Sequence, residues 1–571
     1  MMQRALRFLS YEARTLERAV LILAAAAFLS SLLALLRDRL FAHTFGAGVE
    51  LDIYYAAFRI PDFLFVAVGA LVSVYILIPE LTRRGEEEQK RYIDTIVVGF
   101  SLLAIVSSLL AALFAPAILE ALFPRLIDPP AGEGRMEILV SITRIMLLQP
   151  LLLGLSNILA AITQVRARYG LYALSPILYN IGIIGGVLVF YPRWGLTGLA
   201  WGVVLGALLH LGIQLPAVLR DGFFRIIPSR IDVAALWRTA SISVPRALTL
   251  SLNQVAFIGL VALAATLSSG SVAIFIFAYN LSSVPLSIIG ASYSVAAFPT
   301  LAAAFSNGRK EEFVGHVVIA ARHVIFWSLP AIALIVVLRA HIVRVVLGSG
   351  AFDWTDTRLT AAALAIFSLT LLAQGLTLLL VRGYYAAGRT LAPFVVSLAG
   401  AGSVIVLGLL FLGIFQDQSI LQFIEVMLRV EELQGTLVLA LVSAYAFVSL
   451  LGALALVLHF EYCFGGFFSG VRRTFFESTA AAFTGGFTAY AMLYALGPLT
   501  FPSTLLSVFL RGFAGGLAGI VGTTFVYWLL RNREFRETVE AISARIWRIE
   551  KLEGEITVIA SAEDISPSRP Q

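Results

Sequence analysis

Fourteen apolar stretches punctuate the chain, near residues 19–42, 51–79, 92–120, 137–162, 171–190, 195–219, 240–266, 271–301, 314–346, 359–381, 391–415, 436–459, 474–496 and 504–530. About 20 residues of helix cross the hydrocarbon core of a bilayer. The runs are continuous rather than alternating at period two, which selects helices over a membrane barrel. Charge, Gly or Pro fills the gaps, as in ELTRRGEEEQKR at 80–91, RDGFFRIIPSR at 220–230 and SNGRKEE at 306–312. Residues 416–435 form a longer mixed loop. From Arg531 to about Ile556, charge alternates with Ile, Trp and Leu, which predicts an amphipathic surface helix. SAEDISPSRPQ after it is expected to be disordered. Arg4, Arg7, Arg14 and Arg18 precede an apolar run from Ala19 to Leu36 that is too long for a signal peptide, so the first helix is expected to be retained.

Composition agrees with this pattern. Of 571 residues 59% are apolar and only 13% charged, against about 25% charged in soluble domains. An ordinary soluble enzyme and a disordered chain are both excluded. The formal net charge of +6 fits basic loops at one membrane face, and no motif supports nucleic-acid binding. With the N-terminus inside, the inner loops and tails hold 27 Lys and Arg against 7 in the outer loops. Inward Lys and Arg set orientation, and an even number of spans puts both termini in the cytoplasm. The single cysteine, Cys463, excludes an intrachain disulfide and a cysteine metal cluster. His43, His210, His316, His323, His341 and His459 show no metal-ligand spacing. A phosphate-binding loop is missing too. No cofactor and no metal are expected, and movement would draw on the membrane potential, an ion or the substrate gradient.

A weak internal repeat is visible. GVELDIYYAAFRIPD at 48–62 is similar to GSVAIFIFAYNLSS at 270–283, and each leads to a Pro-x-Leu end, at 79–81 and 299–301. Six spans separate the copies, so they face the same way, as in parallel-repeat transporters with substrate between two bundles. The expected fold is an all-α polytopic membrane protein of about 14 transmembrane helices, in two six-helix lobes plus two C-terminal helices. The expected divisions are a cytoplasmic segment 1–18, an N-lobe 19–219, a linker 220–239, a C-lobe 240–459, two further helices in 474–530 and a cytoplasmic tail 531–571.

Charges inside a span are costly and face a cavity or a partner. In the second span Asp52, Tyr55, Arg59 and Asp62 fall within roughly 80° of one another on a helical wheel. Pro61 leaves the carbonyl of Ala57 without its amide and predicts a kink. The plainer alternatives are that Asp52 sits at its own helix start, where the dipole favours it, and that Arg59 pairs with Asp62 for structure. Arg37 and Asp38 end the first span. The seventh offers Arg246, Asn253 and Gln254 just after Pro245, with Arg246 snorkelling as the alternative. Asn280 and a helix-bending Pro285 mark the eighth. Arg144, Gln149, Asn157, Asn180 and Gln374 are expected to be packing glue. Arginine forks bind phosphate at two points and stay charged in a low dielectric, so Arg37, Arg59 and Arg246 together suit an anionic head group.

The stretch LLRDRLFAHTFGAGVELDIYYAAFRIPD at 35–62 resembles the MurJ (MviN) family of lipid II flippases, within the multidrug/oligosaccharidyl-lipid/polysaccharide exporter superfamily. SPILYN at 175–180, SLNQ at 251–254 and RGYYAAGRTLAP at 382–393 follow in the family's order, and the resemblance runs over roughly residues 15–530. It implies fourteen helices, a cationic cavity and alternating access. The implied substrate is the lipid-linked anionic peptidoglycan precursor, and the implied location is a bacterial inner membrane. Arg37, Asp38, Asp52 and Arg59 occupy the family's charged positions. The resemblance also implies an arginine before Arg37, a basic residue after Pro61 and an acid–arginine pair in the eighth helix. The chain instead has Ser30, Ser31 and Leu32, then FLFVAVG at 63–69, then Tyr279 and Asn280. Arg246 is the expected substitute.

Lipid II flipping therefore stands beside flipping of another polyprenyl-linked glycan, multidrug export, a non-transporting scaffold of cell-wall synthesis, and a membrane-embedded transferase. A transferase lacks an acid/His constellation here, so no enzyme is expected. Partners are membrane lipids and contacts with the cell-wall synthesis machinery, around a monomer. The charge asymmetry sets a topology test. In a Cys463→Ser background, an impermeant thiol reagent added outside should label a cysteine at Thr500 and spare one at Arg84; the reverse pattern ends this topology.

Overall fold

Long apolar runs without water must satisfy their amides internally, so each becomes helix. The structure is a computed structural model describing residues 16–127, 134–224, 232–497, 504–541 and 543; the side chains of 16–22, 24, 75, 242, 245 and 246 lie outside the described set. Residues 498–503 and the tail beyond 543 lie outside it too, so the expectations placed on Thr500 and on the tail's end fall outside the described residues. Residues 533–541, at the start of the expected tail helix, are helical.

The chain order is α1 Leu16–Phe45, α2 Val49–Thr82, α3 Glu86–Leu122, α4 Arg135–Val165, α5 Tyr169–Trp194, α6 Leu196–Arg220 and α7 Val233–Ala264. It continues with α8 Ser271–Ser306, α9 Lys310–Val346, α10 Trp354–Leu369 plus Leu371–Ala386, bent by 41°, and α11 Leu391–Ile414. The last are α12 Val438–Phe464, α13 Phe467–Ala495 and α14 Leu505–Leu529. No strand occurs among the described residues. Eleven described helices are long and apolar enough to cross a membrane, or up to twelve with α10 as one span. By this measure the count of about fourteen is not reached: α1 and α13, of 30 and 29 residues, fall outside the set. The chain is a multi-pass membrane protein. Its outward surface is correspondingly apolar: on α3, Leu102, Leu109 and Leu113 are more than 60% exposed, a face that water would not tolerate.

Two compact units appear. One comprises residues up to Val284, Arg339–Ala373 and Arg389–Leu456. The other comprises Pro285–Leu338, Gln374–Gly388 and the residues from Val457. Within the first, α5 packs on α6 and α1, α4 on α2, and α7 on α11. Within the second, α13 packs along α14.

Hydrophobic force is weak between helices in lipid, so close backbone packing substitutes for it. Gly182 and Gly186 of α5 meet Gly206 and Gly202 of α6, and a Cβ at Gly182 would collide with the Cα of Gly206. Gly485 of α13 touches Thr523 and Gly519 of α14 in the same way.

Several helices are interrupted. The first segment of α2 ends at Ala57, and a second begins at Arg59, two residues before Pro61. In α8 the bonding widens to a π-helical turn over Ser287–Ala291, just after Pro285. The backbone of α7 runs unbroken through Pro245.

The glycine stripe yields a prediction. Gly202→Leu should destabilise the protein by about 1–3 kcal/mol, the usual range for overpacking, lowering the unfolding temperature in detergent. Gly212→Leu, at a position where a Cβ meets nothing, should not. Equal melting of the two variants would refute the packing argument.

Candidate functional site

Carboxylates buried among apolar helices must be matched by donors. Asp38, near the end of α1, is 4% exposed. Its Oδ1 accepts from Arg37 Nε at 3.0 Å and Nη2 at 2.8 Å. Its Oδ2 accepts from Asn280 Nδ2 of α8 at 3.0 Å. Arg37 Nη1 donates to Asn180 Oδ1 of α5 at 3.3 Å. Asn180 Nδ2 donates in turn to the Pro176 carbonyl and, at 3.4 Å, to Ser30 Oγ of α1. One polar chain thus joins α1, α5 and α8.

The second arginine is set by the break in α2. Arg59 opens the second segment and is buried. Its Nε donates to the Tyr55 carbonyl at 2.8 Å, and its Nη2 lies 3.7 Å from Asp62 Oδ2. The guanidinium also sits over the Phe257 ring of α7, 5.3 Å from its centroid, within cation–π range. Tyr55 packs edge-on against Phe41 of α1 and Phe277 of α8. Phe277 lies one turn from Asn280, so this aromatic group adjoins the Asp38 chain. The Tyr55 hydroxyl is buried without a partner among the described residues.

Asp52 is placed elsewhere. Its Oδ2 accepts from the backbone N–H of Gly270 at 2.6 Å and its Oδ1 from Ala273 at 2.8 Å. It therefore closes the N-terminus of α8, where unsatisfied amides and the helix dipole favour a carboxylate. Gly270 has φ +85°, and a Cβ there would collide with the Ala47 carbonyl, so only glycine suits the turn. Asp356 of α10 plays a related part: its Oδ2 accepts from Ala47 N–H at 3.1 Å.

Of the seven expected cavity residues, the structure joins Arg37, Asp38 and Asn280 directly, with Arg59 beside them through Tyr55. Asp52 binds a helix end, and Asn253 lies on an exposed part of α7. The side chain of Arg246 lies outside the described residues, as does that of Pro245. Asn180, expected as packing glue, is an Arg37 ligand. Phe257 drew no notice in the sequence. Its signal was a ring four residues beyond Asn253; that of Asn180 was an amide four residues after Pro176 in an apolar helix.

Chemically, the site holds two arginine forks, each already facing an aspartate. An anion would have to compete with Asp38 and Asp62 for them. The Arg37 side chain is 21% exposed, which leaves one edge approachable. Among the described residues no group of three or more His, Cys, Asp or Glu is placed to hold a metal ion.

Comparison with known proteins follows the same lines. A sequence model of the family "Lipid II flippase MurJ" matches residues 41–421. The probable lipid II flippase MurJ of Buchnera aphidicola subsp. Acyrthosiphon pisum is 27% identical over 376 residues, covering 65% of this chain and 73% of that protein. The Thermotoga maritima protein of the same description is 26% identical over 373 residues, covering 65% and 74%. Among solved structures, a lipid II flippase MurJ in an inward closed conformation aligns with TM-score 0.70 at 20% identity, over 90% of this chain and 100% of that one. An inward-facing multidrug resistance MATE family transporter aligns with TM-score 0.58 at 16% identity, over 80% and 98%. At such identities the structures establish the shared fold.

The sharing of Asp38 sets a double-mutant test. Asp38→Ala leaves the Arg37 charge without its main partner and should cost about 3–5 kcal/mol. The Arg37→Ala/Asp38→Ala pair should be less destabilised than Asp38→Ala alone, by thermal unfolding of purified protein. Additive losses would show that the two do not act as a pair.

Proposed function

Since the chain belongs to the lipid II flippase MurJ family, we propose that it carries the lipid-linked peptidoglycan precursor (lipid II) across the bacterial cytoplasmic membrane by alternating access. The observation that carries this reading is the family match over residues 41–421, which takes in α2 to α11. The polar chain at Arg37 and Asp38 supports it from within the bundle, because it supplies bidentate donors for a pyrophosphate. In this mechanism the pyrophosphate exchanges with Asp38 at Arg37 and with Asp62 at Arg59. Each arginine is then paired in the empty and the loaded protein, which avoids a bare buried charge at either stage. The long apolar tail stays in lipid while the head group crosses.

The process is transport, with no bond made or broken in the substrate and no cofactor; the membrane potential or an ion gradient drives it. The protein resides in the inner membrane as a monomer, both termini cytoplasmic, in contact with the cell-wall synthesis machinery. Two six-helix lobes, 19–219 and 240–459, alternate access, and Arg246 adds charge from the second.

Complementation tests this. Cells depleted of their own lipid II flippase should survive on this chain, with lipid II becoming accessible at the outer face; failure of both, with normal membrane insertion, would overturn the reading. Arg37→Ala and Arg59→Ala should each impair complementation while inserting normally, since a lost charge-assisted contact costs about 1.5–3 kcal/mol of head-group binding. Arg246→Gln should abolish transport, and Asn280→Arg in that background should restore part of it. A fully active Arg246→Gln protein would mean that this arginine only reaches the membrane surface.

A further inference from the structure

Beyond the arginines, α2 breaks a second time inside its apolar span. Ala70–Val72 tightens to a 3-10 turn, Ser73 is extended (φ −70°, ψ 147°), and helix resumes over the nine residues Val74–Thr82. Among the described residues no side chain caps this new N-terminus. The amides of its first turn therefore lack the usual side-chain acceptor. Discontinuous spans of this kind are where transporters place binding groups.

A cavity of about 480 Å³ adjoins the break. Ser73 of α2, Asn157 and Gln164 of α4 and Tyr172 of α5 line it, with Val74, Ile78 and Pro79 as its apolar wall. Ser73 Oγ and Gln164 Nε2 are buried with no hydrogen-bond partner among the described residues. A rotation of either side chain would turn its orphaned group toward a guest.

The described lining carries amides and hydroxyls but no charge, so a pyrophosphate finds nothing in it to neutralise it. A purely apolar guest would leave the polar groups unmatched. The size lies in the range of small-molecule sites. A sugar ring fits these terms. Its hydroxyls and N-acetyl amide match Ser, Asn and Gln, and its C–H face packs on a tyrosine ring. Ser73 follows Arg59 by 14 residues, roughly 20 Å along a helix, so this is a place apart from the arginine site.

We propose that this cavity binds an uncharged, amide- and hydroxyl-bearing sugar of the lipid-linked substrate, a reading that rests on the transport function above. The test uses the purified full-length protein in nanodiscs and measures affinity for lipid II and for undecaprenyl pyrophosphate, which has the same anion and tail without sugars. The parent should bind lipid II several-fold more tightly. Gln164→Leu and Asn157→Leu should each weaken lipid II by roughly three- to tenfold, the loss of a hydrogen bond, and leave undecaprenyl pyrophosphate unchanged. If either variant fails to fold, Ser73→Ala, which removes an atom with no partner, should show the same selective loss.

Equal binding of the two lipids by the parent, or unchanged lipid II affinity in folded Gln164→Leu and Ser73→Ala proteins, overturns the proposal. Gln164-dependent binding of free N-acetylglucosamine without any effect on lipid II assigns the cavity to a soluble sugar and overturns it as well. Failure of the transport reading looks different: Arg59→Ala would then bind both lipids like the parent. A sugar site with intact function should lose both lipids in Arg59→Ala and only lipid II in Gln164→Leu.

Discussion

A charge in a bilayer-spanning bundle survives only with a partner, and this constraint organises the interior of the protein. Asp38 meets it by dividing its two oxygens between Arg37 and Asn280. That division decides which helices stand together, because α1 supplies the carboxylate and the guanidinium, α8 one amide and α5 the other. The same rule accounts for Arg59, which gathers a backbone carbonyl, Asp62 and a ring face. Neither arginine is a free cation waiting for an anion. Each faces an aspartate, so its charge is balanced locally. Exchange of partners costs far less than desolvating a bare ion.

Asp52 shows the other use of a buried carboxylate. It holds two backbone amides of α8 at 2.6 and 2.8 Å rather than an arginine. Two carboxylates on one helix thus do different work: Asp62 sets a charge, while Asp52 fixes the beginning of a helix. Gly270 completes that fixture because any side chain there would strike Ala47.

Much of this was legible in the sequence because lipid leaves few choices. Every apolar run had to be helix, and charges within the runs had to be buried together. Arg37, Asp38 and Asn280 follow from those rules. What was not legible depends on distance in space rather than along the chain. Asn180 lies 143 positions from Arg37, and no spacing rule could join them; Asp52 reaches a helix end 218 positions away. The helical wheel placed Asp52, Arg59 and Asp62 on one face, but it assumes an unbroken helix. The helix is interrupted at Phe58 and again over residues 70–73, so the wheel's register loses its meaning beyond each break. Each of the fourteen apolar runs contains a helix, and eleven to twelve of the described helices are long and apolar enough to cross a membrane.

The breaks also mark where such a molecule can bend. Glycine stripes lock α5 to α6 and α13 to α14 so closely that backbones touch. Sliding there would open voids along the whole contact, and close-packed interfaces resist small deformations. A helix that has already given up its regular bonding bends at little further cost. In α2 those places lie at Phe58, beside Arg59, and at residues 70–73, beside the neutral cavity. In α8 the corresponding place is the wide turn after Pro285, two turns from Asn280. Buried polar groups and interrupted backbone therefore lie close together along both helices. Arg59 thus sits where the backbone of α2 has given up its regular bonding, while α5 and α6 are held backbone to backbone.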